Sequence, residues 1–158
     1  MLNETLASLV MSFMVSELPA SEVDCLALNT YHEARDQSRL GMVAVTQVVL
    51  NRVEDPRYPS TICNVVHQQG FYDPPDAPIR LGECQFSWYC DGKSDTPTDE
   101  TAWHEAKVNS AHAYYMYDVG YDVTEGSTHY HSTSVAPNWL ITKTRVVEID
   151  DHIFYRWD

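Results

Sequence analysis

Tyr31-His32-Glu33-Ala34-Arg35 brings a phenol, an imidazole, a carboxyl group and a guanidinium together within five positions. They end a run from Ser21 in which Val23, Leu26, Ala27, Thr30, Tyr31 and Ala34 recur at helical spacing. That spacing predicts an amphipathic helix over Ser21–Arg35, with a capping-box-like start at Ser21 and Asp24. Glu33 follows Leu26 by two turns, which returns it to within about 20° of the apolar direction. A carboxyl group aimed toward the buried side loses hydration, and lost hydration raises its pKa. An acid that keeps its proton at neutral pH is what protonation of a glycosidic oxygen requires. The plainer alternative is a helix-end Glu, partly exposed and paired with Arg35. His32 points about 100° away around the helix and reads as exposed rather than catalytic.

Three other places carry polar or aromatic groups suited to a sugar. Gln85-Phe86-Ser87-Trp88-Tyr89 reads as a short strand or extended rim, with Gln85 and Ser87 on one face and Phe86 and Trp88 on the other. An amide and a hydroxyl suit the hydroxyls of a sugar ring. If they face a cleft, Phe86 and Trp88 belong to the core, so Trp88 is the weaker candidate. Tyr130 offers a phenol that can orient an acid or steady a developing sugar cation, or it is simply a half-buried strand tyrosine. His131 and Trp139 either line subsites or pack structurally. No second acid has a placement comparable to Glu33; Asp24, Asp36, Asp91 and Asp122 read as surface residues. His129 and His131 share a strand face and offer two metal ligands, but a third is unassigned, and His32-Glu33 lacks the following His of a helix-borne zinc site. No metal or cofactor is expected.

The elements that must position these groups fit one domain. The 158 residues suffice for a proper core, and 44% are hydrophobic. They divide into an N-terminal helix over 1–20 and the remainder, 21–158. The apolar run Leu6–Val15 has Glu4 and no basic residue before it and is too short to span a membrane, so neither a secretory signal nor stable membrane insertion is expected. With 23 acids against 10 bases the net charge is −13, which excludes nucleic-acid binding by phosphate neutralisation and leaves shape and hydrogen bonds to grip any polymer. Cys25, Cys63, Cys84 and Cys90 allow three fully bridged pairings; free thiols are an equal alternative, and a Cys84–Cys90 bridge would staple a short loop. A second helix over Arg39–Val53, apolar on most faces and capped by Ser38, belongs in mid-core. A short helix follows from Ser60 to His67, then a proline-rich loop over Gln69–Glu83, a long helix over Asp99–Tyr117, and short strands near 128–131 and 146–149. The predicted fold is α+β, mainly helical.

Taken in order, several strings resemble the cell-wall hydrolases of the spore-cortex-lytic type: Glu33-Ala34-Arg35, Gly41, Val43-Ala44-Val45, Val48-Val49-Leu50-Asn51-Arg52-Val53, Cys63-x-Val65-Val66 and Gln85-Phe86-Ser87. Ala113-Tyr114-Tyr115, Asp122-Val123-Thr124, Tyr130-His131, Trp139 and His152-Ile153-Phe154-Tyr155 continue the series. The resemblance implies a lysozyme-like fold, with helices around one Glu and a small β wall flanking the cleft. It implies the glycan strand of peptidoglycan as substrate, with cleavage between N-acetylmuramic acid and N-acetylglucosamine by a lytic transglycosylase. Glu33 would be acid and then base, with Gln85, Ser87, Tyr130, His131, Trp88 and Trp139 as substrate contacts. The position after Glu-Ala-Arg, often Gly in that family, is Asp36 here and adds a charge near the site. With no wall-binding module and no export signal, the chain resembles a bacteriophage endolysin or virion-borne enzyme, monomeric, made in the host cytoplasm and reaching the wall by holin release or virion delivery. A hydrolytic muramidase, a zinc amidase and a non-catalytic wall-binding or virion domain are the alternatives.

Overall fold

A computed structural model describes residues 18–158 apart from Tyr72. The helix expected over 1–20, with its apolar run Leu6–Val15, lies outside the described residues up to Glu17. Helix α1 spans Ala20–Ala34, α2 Arg39–Glu54, α3 Ile62–Val66 and α4 Glu100–Asp118. Strands β1 (His129–Ser132), β2 (Thr144–Ile149) and β3 (His152–Arg156) follow. None of the described helices is long and apolar enough to cross a membrane.

Helix α2 is the centre of the molecule. Ser38 caps it by accepting from the Gly41 amide at 3.1 Å. Every residue from Gly41 to Arg52 is then buried, which an all-round apolar helix requires. Helices α1, α3 and α4 and strand β2 pack around it. Two apolar clusters share α2. Val49 and Leu50 join Leu26, Ile62, Val65, Phe86 and Trp88, whereas Met42, Val45 and Val48 join Ala34, Ile149 and Phe154. Asp99 caps α4 by accepting from the Ala102 amide at 2.9 Å.

Two local expectations need correction. Helix α1 starts at Ala20 directly after Pro19, and no side chain caps it, so the Ser21–Asp24 box does not form. Proline enters a first helical turn without leaving an N–H to satisfy. Glu22 instead reaches α3, accepting from the Ile62 amide at 2.6 Å and the Cys63 amide at 3.2 Å. The segment after Gln85 is not a strand but a 3₁₀ turn, Ser87–Cys90. The Cys84–Cys90 disulfide holds Cα atoms 5.9 Å apart across six positions, whereas an extended chain would separate them by roughly 20 Å. The polar–apolar alternation persists nonetheless, with Phe86 and Trp88 buried and Gln85 and Ser87 exposed. The second disulfide, Cys25–Cys63, joins α1 to α3.

The sheet is antiparallel in the order β1-β3-β2. Strand β3 adds a third strand to the two expected; it pairs with both neighbours and turns back from β2 through Asp150-Asp151, with Asp150 at φ 51°. Tyr130 lies opposite Phe154 and Ser132 opposite His152. Because side chains alternate, these four share one face, whereas His129, His131 and Tyr155 occupy the other.

Candidate active site

Glu33 sits on the last turn of α1, at a cavity of about 390 Å³ lined by His32, Glu33, Arg35, Asp36, Gln37, Ser132, Asp151 and His152. Helix α1 and the turn after it supply one wall. The β1–β3 end of the sheet supplies the other. The Tyr130 hydroxyl donates to Glu33 Oε2 at 2.5 Å. Burial is the largest influence on the Glu33 carboxyl and raises its pKa above the ordinary value; the Tyr130 hydrogen bond, the Arg52 charge and His32 pull it back without cancelling that effect. Tyr130 is itself driven well above the usual phenol value by burial and by Glu33, so it remains a donor. This arrangement favours the protonated carboxyl group beyond what an exposed glutamate would, and steadies the carboxylate left when the proton departs.

Polar contacts join the two walls. The Gln37 amide donates to Asp36 Oδ1 at 3.2 Å and to Asp151 Oδ2 at 3.4 Å, and Gln37 Oε1 accepts from the Asp151 backbone at 3.2 Å. His152 is half-buried, and burial lowers its pKa against the raising effect of Asp36, Asp151 and Asp150. Asp36 therefore lies in the cavity, but burial, Tyr130, Arg52 and His32 account for the Glu33 shift.

The structure brings Tyr130 to Glu33 and places the other selected residues elsewhere. Gln85 donates from its amide side chain to the Gln69 carbonyl at 3.1 Å and from its backbone to Gln68 at 2.8 Å, which ties down the proline-rich loop. Ser87 is exposed beside it. Trp88 is core, its indole donating to Asn29 Oδ1 at 3.0 Å and its ring stacked 4.5 Å from His32. His32 is thus half-buried, with Nε2 2.9 Å from the Asp95 carbonyl. His131 lies on the far face of the sheet, 3.0 Å from the Tyr155 hydroxyl, and Trp139 packs there against His129, His131 and Tyr155. None of Gln85, Ser87, Trp88, His131 and Trp139 lines the cavity that holds Glu33. His129 and His131 share a face, yet no group of three potential metal ligands converges among the described residues.

Several residues of the site escaped the sequence reading: Gln37, Ser132, Asp151, His152 and, behind Glu33, Arg52. For Arg52 a signal existed, since a guanidinium closing the run Val48-Val49-Leu50 is out of place unless it is solvated or held. The Asp151 and His152 positions depend on a hairpin turn that carries no glycine.

Residues 36–155 match the Cell Wall Hydrolase family, and the chain belongs to that family. Among curated relatives, spore cortex-lytic enzymes of Halalkalibacterium halodurans and Bacillus cereus are each 27% identical over 135 residues, 85% of this chain. The chain spans about a third of the first relative's length and under half of the second's, 34% and 44%. Among solved structures, the catalytic domain of the germination-specific lytic transglycosylase SleB from Bacillus anthracis matches with a TM-score of 0.66 at 26% identity, covering 88% of this chain and 97% of that one. The catalytic domain of Bacillus cereus SleB matches with a TM-score of 0.61 at 26% identity, covering 87% and 91%. The mainly helical, lysozyme-like α+β fold with a small β wall is therefore the fold of this chain. The family match opens at Asp36, just past Glu33.

Proposed function

We propose that the chain cleaves the bond between N-acetylmuramic acid and N-acetylglucosamine in peptidoglycan as a lytic transglycosylase, with Glu33 as its single acid and base. The observation that carries this is the half-buried Glu33, its pKa raised by burial, held by Tyr130 at the edge of a polar cavity. The likeness to the SleB catalytic domains, described as lytic transglycosylases in Bacillus anthracis, supports the same choice. In the first step the Glu33 proton passes to the glycosidic oxygen as its bond to the muramyl C1 breaks, leaving a carboxylate beside an oxocarbenium-like sugar. The C6 hydroxyl of that sugar then bonds to C1, and its proton returns to Glu33. The product is a 1,6-anhydromuramyl end and the enzyme is restored.

A second reading, the hydrolytic muramidase, draws on Asp36 and Asp151, which share the cavity with Glu33 and could orient a water in place of the C6 hydroxyl. Mass spectrometry of digested walls separates the two. Anhydromuramyl ends support the transglycosylase, reducing muramyl ends the muramidase, and free stem peptides overturn both. Glu33→Gln should fold and lose wall lysis, and undiminished lysis by that variant would remove Glu33 from the chemistry.

A further inference from the structure

Arg52 is a buried cation that the proposed reaction does not yet use. It is only 6% exposed, near the end of α2. Its Nε donates to the Thr128 carbonyl at 2.8 Å, and its guanidinium lies 5.1 Å from the ring centroids of both Tyr58 and Phe86. Its Nη1 has no hydrogen-bond partner among the described residues. No carboxylate stands within ion-pair distance of it among those residues. Burying a charge this way costs stability that a well-packed apolar side chain would not, so stability alone does not account for it.

Its position does. Thr128 leads into β1, and two residues on, Tyr130 meets Glu33. The charge of Arg52 acts on both Tyr130 and Glu33. We infer that Arg52 is a positioning residue, a cation fixed behind the site and held short of direct contact, which steadies the Glu33 carboxylate between release and recapture of its proton. This rests on Glu33 being the acid. Closer approach would form an ion pair and favour the carboxylate, whereas here burial outweighs the cation.

The other groups around the pair do not substitute for it. Tyr130 faces Glu33 from β1 and His32 from its own helix, while Arg35, Asp36, Asp151 and His152 share the cavity. Around Arg52 stand Tyr58, Phe86, Tyr130 and His129. His129 is pushed down to about 4 by burial first and then by Arg52, Lys143 and Arg57, so it is neutral at working pH and no rival cation.

The test is the pH profile of wall lysis in two variants of the full chain. Arg52→Gln keeps a donor for the Thr128 carbonyl and loses the charge; Arg52→Lys keeps the charge. Lysis falls at the pH where Glu33 loses its proton, so Arg52→Gln should move the alkaline limb to higher pH with a lower maximal rate. Arg52→Lys should leave the limb at its wild-type pH. A folded Arg52→Gln variant whose limb superimposes on the wild type overturns the inference. If Arg52→Gln does not fold, Arg52→Lys decides alone: a displaced limb, or lysis lost at every pH with the fold intact, overturns it. Glu33→Gln run alongside separates the two failures. Lysis surviving in Glu33→Gln refutes the acid itself, whereas an inactive Glu33→Gln with an unmoved Arg52→Gln limb refutes only the role of Arg52.

Discussion

Tyr130→Phe deletes one oxygen and leaves the ring against His152 and Phe154, whose centroids lie 5.0 and 5.5 Å away. The lost atom is the donor to Glu33 Oε2 at 2.5 Å. While Glu33 is protonated, that bond contributes about 1 kcal/mol; to a carboxylate it contributes about 1.5–3 kcal/mol. The difference, about 0.5–2 kcal/mol, is gained only as the proton leaves, and it corresponds to a rate about 2- to 30-fold slower in the variant. Because Tyr130 lowers the Glu33 pKa, its loss also moves the alkaline limb of activity upward. Turbidity loss of purified walls across a pH series reads both effects, and circular dichroism checks the fold. A folded variant within twofold of the wild type at every pH, with its limb unmoved, would show that the phenol does not serve the acid.

Glu33→Gln should be more stable than the wild type at neutral pH, because the raised folded pKa makes the native state favour the proton. The advantage is absent below the ordinary glutamate value, where both states are protonated, and grows as pH rises toward the folded value; denaturation at acid and neutral pH checks it. Asn51→Ala removes the amide that serves Asp122 Oδ2 at 2.9 Å, Thr124 Oγ1 at 3.1 Å and the Ser127 carbonyl at 2.9 Å. It should cost about 1–3 kcal/mol in urea unfolding. Losing the Cys25–Cys63 bridge, which closes 38 positions, should cost about 4 kcal/mol, against about 2 kcal/mol for Cys84–Cys90, which closes six. Chemical denaturation of paired Cys→Ser variants checks that ranking.

The helices were legible in the chain because each carries its own signal. The unbroken apolar run of α2 and the cap at Ser38 placed one helix start, and the helix expected over Asp99–Tyr117 lies within a residue of the observed Glu100–Asp118. The two-turn spacing from Leu26 to Glu33 pointed the carboxyl inward without knowledge of what covers it. Tyr130 could be chosen as a residue type, but its contact with Glu33 joins positions 97 apart and depends on the β1–β3 register. That register was hidden because the β2–β3 turn uses Asp150 rather than Gly in the left-handed region, a place where Asp is tolerated but not diagnostic. With the hairpin unrecognised, Asp151 and His152 had no address. Arg52 escaped for a related reason: helical spacing describes one helix, while its burial comes from Tyr58, Phe86 and Thr128 on other parts of the chain.

The hairpin tip is also fastened to α2. Asp150 Oδ2 accepts from the Ser38 amide at 2.8 Å, and it stands where a Cβ on Gly41 would have to go. A glycine at that point lets a helix start and a strand turn share one joint, which ties the hairpin bearing Asp151 to the start of α2. The glycan strand proposed as substrate would meet, across the cavity from Glu33, an edge anchored by that joint.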